Sequence, residues 1–404
     1  MEEGFPFHLA LPDVLISLLS LLFFLLDVVL DLWAIDCLYK EEKYSSMGLL
    51  IFFLLSSSIL VQTYSWLWYS DSSVTLDTKV ERFIKRHGLM APVHICQLSV
   101  FLRFAAVLEI SICRFNQSDR FSKGLTMYMI HDLSTLRLFE AFSESASQLV
   151  LMTALIFEMQ EMQHFTVIKI IGSLFVLTFS VLSYHHNMRA FLPEKLGMGW
   201  LSSVIYFLWN LFLISPRVVC VSLVASVLPC LIAAHFLSLW TLLVLWAWWE
   251  KTDFMDTKAG EWLYRATVGL IWYFSWFNVT SGNTKLRGII YHVVMGADNA
   301  LLLGLWWWWR SVESARLSPF PINPYILIGL LVIIYITGVL LKLVYYWKCH
   351  PNKPVLDINL NNDAGSDSLE LDSSETLEPK PEPEVTVLVG INKRIRHMAV
   401  NFYC

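Results

Sequence analysis

Apolar stretches of about 20 residues recur along this chain from Val14 to Trp347, and a helix of about that length crosses a hydrocarbon layer roughly 30 Å thick. A backbone in lipid must satisfy its own N–H and C=O groups, which leaves helices or closed barrels as spanning forms. Stretches this long and this uniformly apolar select the helix. They fall at 14–35, 47–69, 93–112, 138–158, 165–184, 199–215, 217–249, 260–279, 286–308 and 321–347. Only 16% of the 404 residues are charged, against roughly a quarter in soluble domains, so lipid is the solvent for most of the chain.

The placement of Lys and Arg orients these stretches, because cytosolic connections carry the excess of basic residues. Lys79, Arg82, Lys85 and Arg86 lie between the second and third stretches, and Arg114, Arg120, Lys123 and Arg137 follow the third. With both connections cytosolic, 93–112 cannot cross once and reads as a re-entrant hairpin. The same logic applies to 260–279, which Lys251 and Lys258 precede and Lys285 and Arg287 follow. The expected fold is all-α: a polytopic membrane protein of about eight transmembrane helices plus two re-entrant hairpins in two similar halves, with a disordered acidic C-terminal tail. The halves fall at 1–198 and 199–349, the tail at 350–404, and both termini are expected in the cytosol. The stretch 217–249 is long for one helix and contains Pro229, so one helix and two shorter passes both remain open.

Charged groups inside apolar stretches are expensive, about 2.5 to 3.5 kcal/mol each at the middle of a helix, and usually face the protein interior or water. Asp13, Asp27 and Asp31 are spaced by 14 and 4 residues, which at about 100° per residue keeps them within about 40° of one another. Arg137, Glu140, Glu144 and Gln148 follow at spacings of 3, 4 and 4, with Asp132 just before them, again on one helical face. Arg103 and Arg217 supply opposite charge at membrane depth. Such groups can simply pair and pin helices together. Acids distributed from one interface to the other suit something more: a polar headgroup exchanging one set of contacts for the next along an apolar barrier. Trp66 and Trp68, Trp246, Trp248 and Trp249, and Trp306 to Trp309 sit at stretch ends, as interfacial belts do. His185 and His186 fall where the chain is expected to leave the bilayer.

Several function classes find no support. There is no HExxH, GxSxG or phosphate-cradling Gly-rich loop, so no enzyme, metal or cofactor is expected. Basic residues are scattered, without the patch a nucleic acid needs. The seven cysteines show no CxxC spacing and their odd number cannot form a complete disulfide set. The first stretch lacks a basic leader and contains Asp27 and Asp31, so it reads as a retained helix rather than a cleaved signal. The sequons at Asn116 and Asn278 are expected on the cytosolic side or in the membrane, and hence unused.

The phrases LRLFEAFSESASQLVL (136–151), SSVIYFLWNLFLISPRVV (202–219) and EWLYRATVGLIWYFSWFNVTSGNTKLR (261–287) resemble XK-related proteins. That resemblance covers nearly all of the membrane region, Leu11 to about Trp347. It implies a caspase-activated scramblase that moves phospholipids between plasma-membrane leaflets without ATP and exposes phosphatidylserine on apoptotic cells. It also implies a single-pass chaperone of the basigin or neuroplastin type. Its lipid path corresponds here to Asp13, Asp27, Asp31, Asp132, Glu140 and Glu144, with Arg103 and Arg217 as basic members. The chain departs from the family at Ser147, where members often have Pro, and at Ser183 and His186, where they carry an acid and an Arg around the Tyr-His pair. An ion-coupled transporter or channel, and an adaptor without transport activity, are the alternatives that buried carboxylates leave open.

The segment from Asn352 to Glu384 holds nine acidic residues against Lys353 and Lys380 and accounts for more than the net charge of −5. Such a composition cannot bury enough surface to fold, and an extended acidic linker suits a caspase. Asp363, followed by Ala364, and Asp372, followed by Ser373, are the candidate cleavage positions. Beyond them Val387, Leu388, Ile391, Ile395 and Met398 share roughly one face of an expected amphipathic helix, either a plug on the cytosolic surface or a helix lying on the membrane.

Overall fold

The computed structural model describes residues 11–71, 78–114, 120–159, 164–191, 198–279, 284–312 and 323–349. Asp363, Asp372, the terminal amphipathic segment and Asn116 lie outside them, as does the side chain of Asp13. Every described element is helical. The chain begins with α1 (Leu11–Lys40) and α2 (Tyr44–Asp71), continues through the short α3 (Lys79–Arg86), α4 (Met90–Ile95) and α5 (Ser99–Arg114), and then forms α6 (Arg120–Glu140), a π-helical turn (Ala141–Ser145), α7 (Ala146–Met159) and α8 (His164–Phe191). The remainder comprises α9 (Trp200–Ala225), α10 (Pro229–Trp249), α11 (Lys258–Phe274), α12 (Thr284–Val312) and α13 (Pro324–Val344), which ends in a second π turn over Tyr345–Cys349. Among the described residues, seven helices are long and apolar enough to cross a membrane: α1, α2, α8, α9, α10, α12 and α13. The chain is thus an all-α polytopic membrane protein.

Local sequence fixes where these helices start and stop. Thr78 caps α3 through its hydroxyl, which accepts from Glu81 N at 3.0 Å, while the Glu109 carboxylate takes the next free donors, Lys79 N and Val80 N, at 2.8 and 3.0 Å. At its other end α3 closes in a Schellman turn: Leu89 N donates to Ile84 O and Gly88 N to Lys85 O, with Gly88 at φ +62° where a side chain would be strained. Pro229 and Pro324 both stand in the first turn of their helices, where a missing N–H costs nothing.

The long stretch at 217–249 is resolved by these rules. The helix runs through Pro216 and ends at Ala225, and Pro229 opens α10, so the boundary expected between 215 and 217 moves to 226–228. Pro216 survives inside α9 because the α9 backbone one turn earlier is packed against α13. A Cβ on Gly338 would meet Leu213 Cδ2 at 2.9 Å and the Phe212 carbonyl carbon at 3.1 Å, so only glycine permits this approach.

Three other stretches gain internal detail. The stretch 93–112 is two helices, α4 and α5, joined through Gln97 in the left-handed region at φ +61°. Within 260–279, α11 stops at Phe274 and the chain continues without regular structure to Val279. The crossing expected at 138–158 belongs to one long rod from Arg120 to Met159 that the π turn divides, with Ala146 N donating to Ala141 O. An added residue in a turn rotates everything after it by about 100°, so Arg137 to Gln148 do not continue one α-helical stripe.

The core is aromatic-rich and runs from α2 and α6 across α9 to α11. Tyr64 on α2 and Thr267 on α11 share a buried hydroxyl hydrogen bond of 2.9 Å, which ties the two regions together. Trp68 and Trp306 are buried core members rather than belt residues, whereas Trp66, Trp248, Trp249, Trp307 and Trp308 are exposed as expected. His185 and His186 do not mark a solvated exit: His186 is buried within α8, and His185 stacks on Tyr206 with ring centres 4.1 Å apart.

Candidate functional site

Where α1 lies beside the α6–α7 rod and α8, the expensive side chains meet. Asp27 and Asp31 are separated by one helical turn and both point inward, 5% and 1% exposed. Asp27 accepts from Ser145 Oγ at 2.9 Å. Asp31 forms an ion pair with Lys169 of α8, and the same ammonium donates to Gln148 Oε1 at 3.1 Å. Lys169 of α8 thus bridges α1 and α7.

The π turn carries the site forward along the rod. Arg137 pairs with Glu140 and places its guanidinium 4.5 Å from the centre of the Phe24 ring, a cation–π contact that compensates part of its lost hydration. Glu144, within that turn, is buried, accepts from Gln148 Nε2 at 3.5 Å, and neighbours Asp31, Glu140 and Asp27. π turns are uncommon and concentrate at functional sites; here the turn brings Glu144 toward the α1 acids, while Ser143 of the same turn bonds Ser57 of α2 at 2.7 Å.

One level further along α6, Asp132 takes Arg103 of α5 at 3.5 Å. Arg103 is held by Ser65 Oγ at 3.1 Å and Ser65 O at 3.3 Å, and lies 4.3 Å from the centre of the Tyr69 ring. From Asp132 to Gln148 the rod rises by roughly 24 Å at 1.5 Å per residue, most of a hydrocarbon layer.

The charges do not balance. Asp27, Asp31, Glu140 and Glu144 surround two bases, Arg137 and Lys169, so two carboxyls have no cation of their own. An ion pair that merely pins helices would be matched one to one. A buried surplus of acid is instead a cradle for a positively charged group or for shared protons.

The structure therefore brings together Asp27, Asp31, Arg137, Glu140, Glu144 and Gln148, and sets Arg103 and Asp132 as a pair one level away. Arg217 does not join them. Its partners are Tyr273 O at 3.0 Å, Asn299 Oδ1 at 2.9 Å and the Asp298 carboxylate, all between α11 and α12. Lys169, Asp298 and His235, which bonds the second Asp298 oxygen at 2.9 Å, were missed from the sequence. The available signal was the same for each: an ionisable residue inside a largely apolar stretch. No group of three or more His, Cys, Asp or Glu that could hold a metal occurs among the described residues.

The XK-related protein family model matches residues 15–351 of this chain. An XK-related protein 8 from Tetraodon nigroviridis is 38% identical over 357 residues, covering 87% of this chain and 86% of the relative. The XK-related protein 8 of Gasterosteus aculeatus is 36% identical over 402 residues, covering 97% and 96%, and that of Pan troglodytes is 33% identical over 404 residues, covering 97% and 94%.

Proposed function

The chain belongs to the XK-related family, and from that premise we propose that it is a caspase-activated phospholipid scramblase of the plasma membrane, not an enzyme, that exposes phosphatidylserine without ATP. The observation that carries the reading is the surplus of buried carboxyls beside α1. A headgroup with an amine and a phosphate crossing an apolar layer alone would forfeit several kcal/mol of solvation. Along this rod the amine passes between Asp27, Glu140 and Glu144 while the phosphate finds Arg137 and then Lys169. The acyl chains stay in the lipid outside, so only the polar end needs a protein route.

In this structure Asp31, Arg137, Gln148 and Lys169 are each 3% exposed or less, so the route is closed. Cleavage of the tail at Asp363 or Asp372 is the trigger in this reading, and a basigin- or neuroplastin-type partner assists delivery to the surface. The test is leaflet exchange of labelled phospholipid in liposomes containing purified protein cut or truncated after Asp372. Exchange should proceed with no ion gradient, and Glu144→Gln should slow it at least about tenfold, the loss of one charge-assisted contact of about 1.5 kcal/mol or more. A folded, truncated protein that exchanges no lipid, or that does so equally well with Glu144→Gln and Asp27→Asn, defeats the reading.

A further inference from the structure

At the start of α3 a glutamate is turned away from its ordinary task. Thr78 and Glu81 have the spacing of a capping box, in which the hydroxyl accepts from the helix N-terminus and the glutamate three residues on reaches back to the capping residue's own N–H. Thr78 keeps its half of that arrangement, accepting from Glu81 N at 3.0 Å. Glu81 does not keep the other half. Glu109 of α5 takes Lys79 N and Val80 N, and the Glu81 side chain is turned inward, the residue being 1% exposed. Both of its carboxyl oxygens are buried without a hydrogen-bond partner. A carboxylate in that condition forfeits several kcal/mol of solvation, so it either holds a proton or draws in a cation.

Foremost among the charges acting on Glu81 is Arg103 of α5; Lys85 of α3 and Tyr69 of α2 act in the same direction, and Glu109 opposes them. Arg103 is itself divided. Its Nε and Nη2 donate to Ser65 Oγ and Ser65 O at 3.1 and 3.3 Å, its Cζ lies 4.3 Å from the centre of the Tyr69 ring, and Nη1 reaches Asp132 of α6 only at 3.5 Å. Charge-assisted bonds are ordinarily about 2.7–2.9 Å long, so the bond to Asp132 is the one most readily exchanged. His94 of α4 acts on the same guanidinium and bonds Ser65 Oγ through Nε2 at 3.1 Å. Burial holds the His94 ring below its usual pKa, so it brings no charge near neutral pH.

We infer that Glu81 is a positioning residue for Arg103 operated by a proton: neutral, it leaves the guanidinium on Asp132; ionised, it pulls the guanidinium toward α3 and uncovers the Asp132 carboxylate. The hydrogen-bond pattern of the structure is that of the neutral state, since an ionised Glu81 would not stand unbonded so close to Arg103. Burial raises the Glu81 carboxyl to about 7, so the two states interchange near neutral pH. Asp132 forms one level of the charged ladder, and a proton taken up at α3 therefore changes the charge met there. The switch goes beyond the proposed lipid route: it concerns how the Arg103–Asp132 pair is held, and stands whether or not lipid moves along the ladder.

The test is infrared difference spectroscopy of the full chain in lipid nanodiscs, titrated through neutral pH, with Glu81→Gln as the reference that lacks the group. The protonated-carboxyl band that Glu81→Gln removes should disappear as pH rises, with a midpoint near 7. Asp132→Asn takes away the competing carboxylate, so Arg103 turns to Glu81 and the midpoint should fall by about one pH unit, the size of effect an opposite charge at close range produces. Ser65→Ala, which releases Nε, should move the midpoint the same way and serves where Asp132→Asn does not fold. Absence of the band, or a midpoint that neither variant moves, overturns the switch, because Glu81 would then be a buried acid uncoupled from Asp132. The band is read without lipid transport, so its outcome and that of the leaflet-exchange assay are independent.

Discussion

Removing Lys169 is the sharpest probe of how the buried charges are held. The ammonium is 1% exposed and its Asp31 partner 2%, so neither side chain can reach water without moving a helix. Lys169→Met takes away the countercharge of Asp31 and the donor to Gln148 Oε1, and Asp31→Asn leaves the ammonium with Gln148 as its remaining partner. Orphaning one member of a buried pair typically costs about 3–5 kcal/mol, whereas replacing both members by groups of similar size is often close to neutral. The double variant should therefore be more stable than either single one, by about 3–5 kcal/mol. Thermal unfolding of the four proteins in lipid nanodiscs, followed by tryptophan fluorescence, measures that ordering. Additive losses, or single variants melting with the native protein, would refute a closed Asp31–Lys169 pair and with it the count of uncompensated acids.

Two further outcomes follow from groups elsewhere in the fold. Asp298→Asn removes the carboxylate shared by Arg217 and His235 and should lower stability by about 3–5 kcal/mol in the same unfolding experiment. Glu81, buried on α3 outside the spanning helices, has its carboxyl pushed up from 4.5 to about 7, first by burial, with Arg103, Lys85 and Tyr69 opposing and Glu109 adding to the rise. Between pH 4.5 and 7 the unfolded chain has lost this proton while the folded one keeps it, so stability falls as pH rises through that window and levels off above it. Glu81→Gln should flatten that slope, and an unchanged pH profile of the melting midpoint would rule Glu81 out as its source.

What the sequence revealed, and what it hid, follows from the range of the physics involved. Helices were readable because length and apolarity act locally, and Arg137 with Glu140 because residues three apart on a helix are neighbours. Asp27 and Asp31 were readable as buried because charge in an apolar stretch has few other places to go. Lys169 was not, since a lysine near the start of an apolar stretch looks like one that snorkels to the interface; only the placement of α8 against α1 turns it toward Asp31. Arg217 was expected beside the ladder, but its partner Asp298 is 81 residues away in sequence, and nothing local specifies that pairing. The π turn also has no composition of its own. It is visible only when Ala146 N is found bonded to Ala141 O, and it is what swings Glu144 toward the α1 acids.

Helix α9 touches both the rod and the Arg217 cluster. Ser222 on that helix donates to Val150 O of α7 at 3.2 Å, while Arg217, five residues earlier, holds Asp298 and Asn299 of α12. Between them the chain is uninterrupted helix, but just before Arg217 stands Pro216, which removes one backbone donor and leaves the Phe212 carbonyl without its usual partner. Proline inside a helix is the commonest origin of a bend, and here the close approach of Gly338 on α13 packs against the turn before it. Were packing the sole demand, apolar side chains of equal volume would serve at Arg217 and Asp31 with no solvation cost. The aromatic core that joins Tyr64, Phe139 and Tyr264 already supplies adhesion. Adhesion therefore does not account for the surplus acid beside α1.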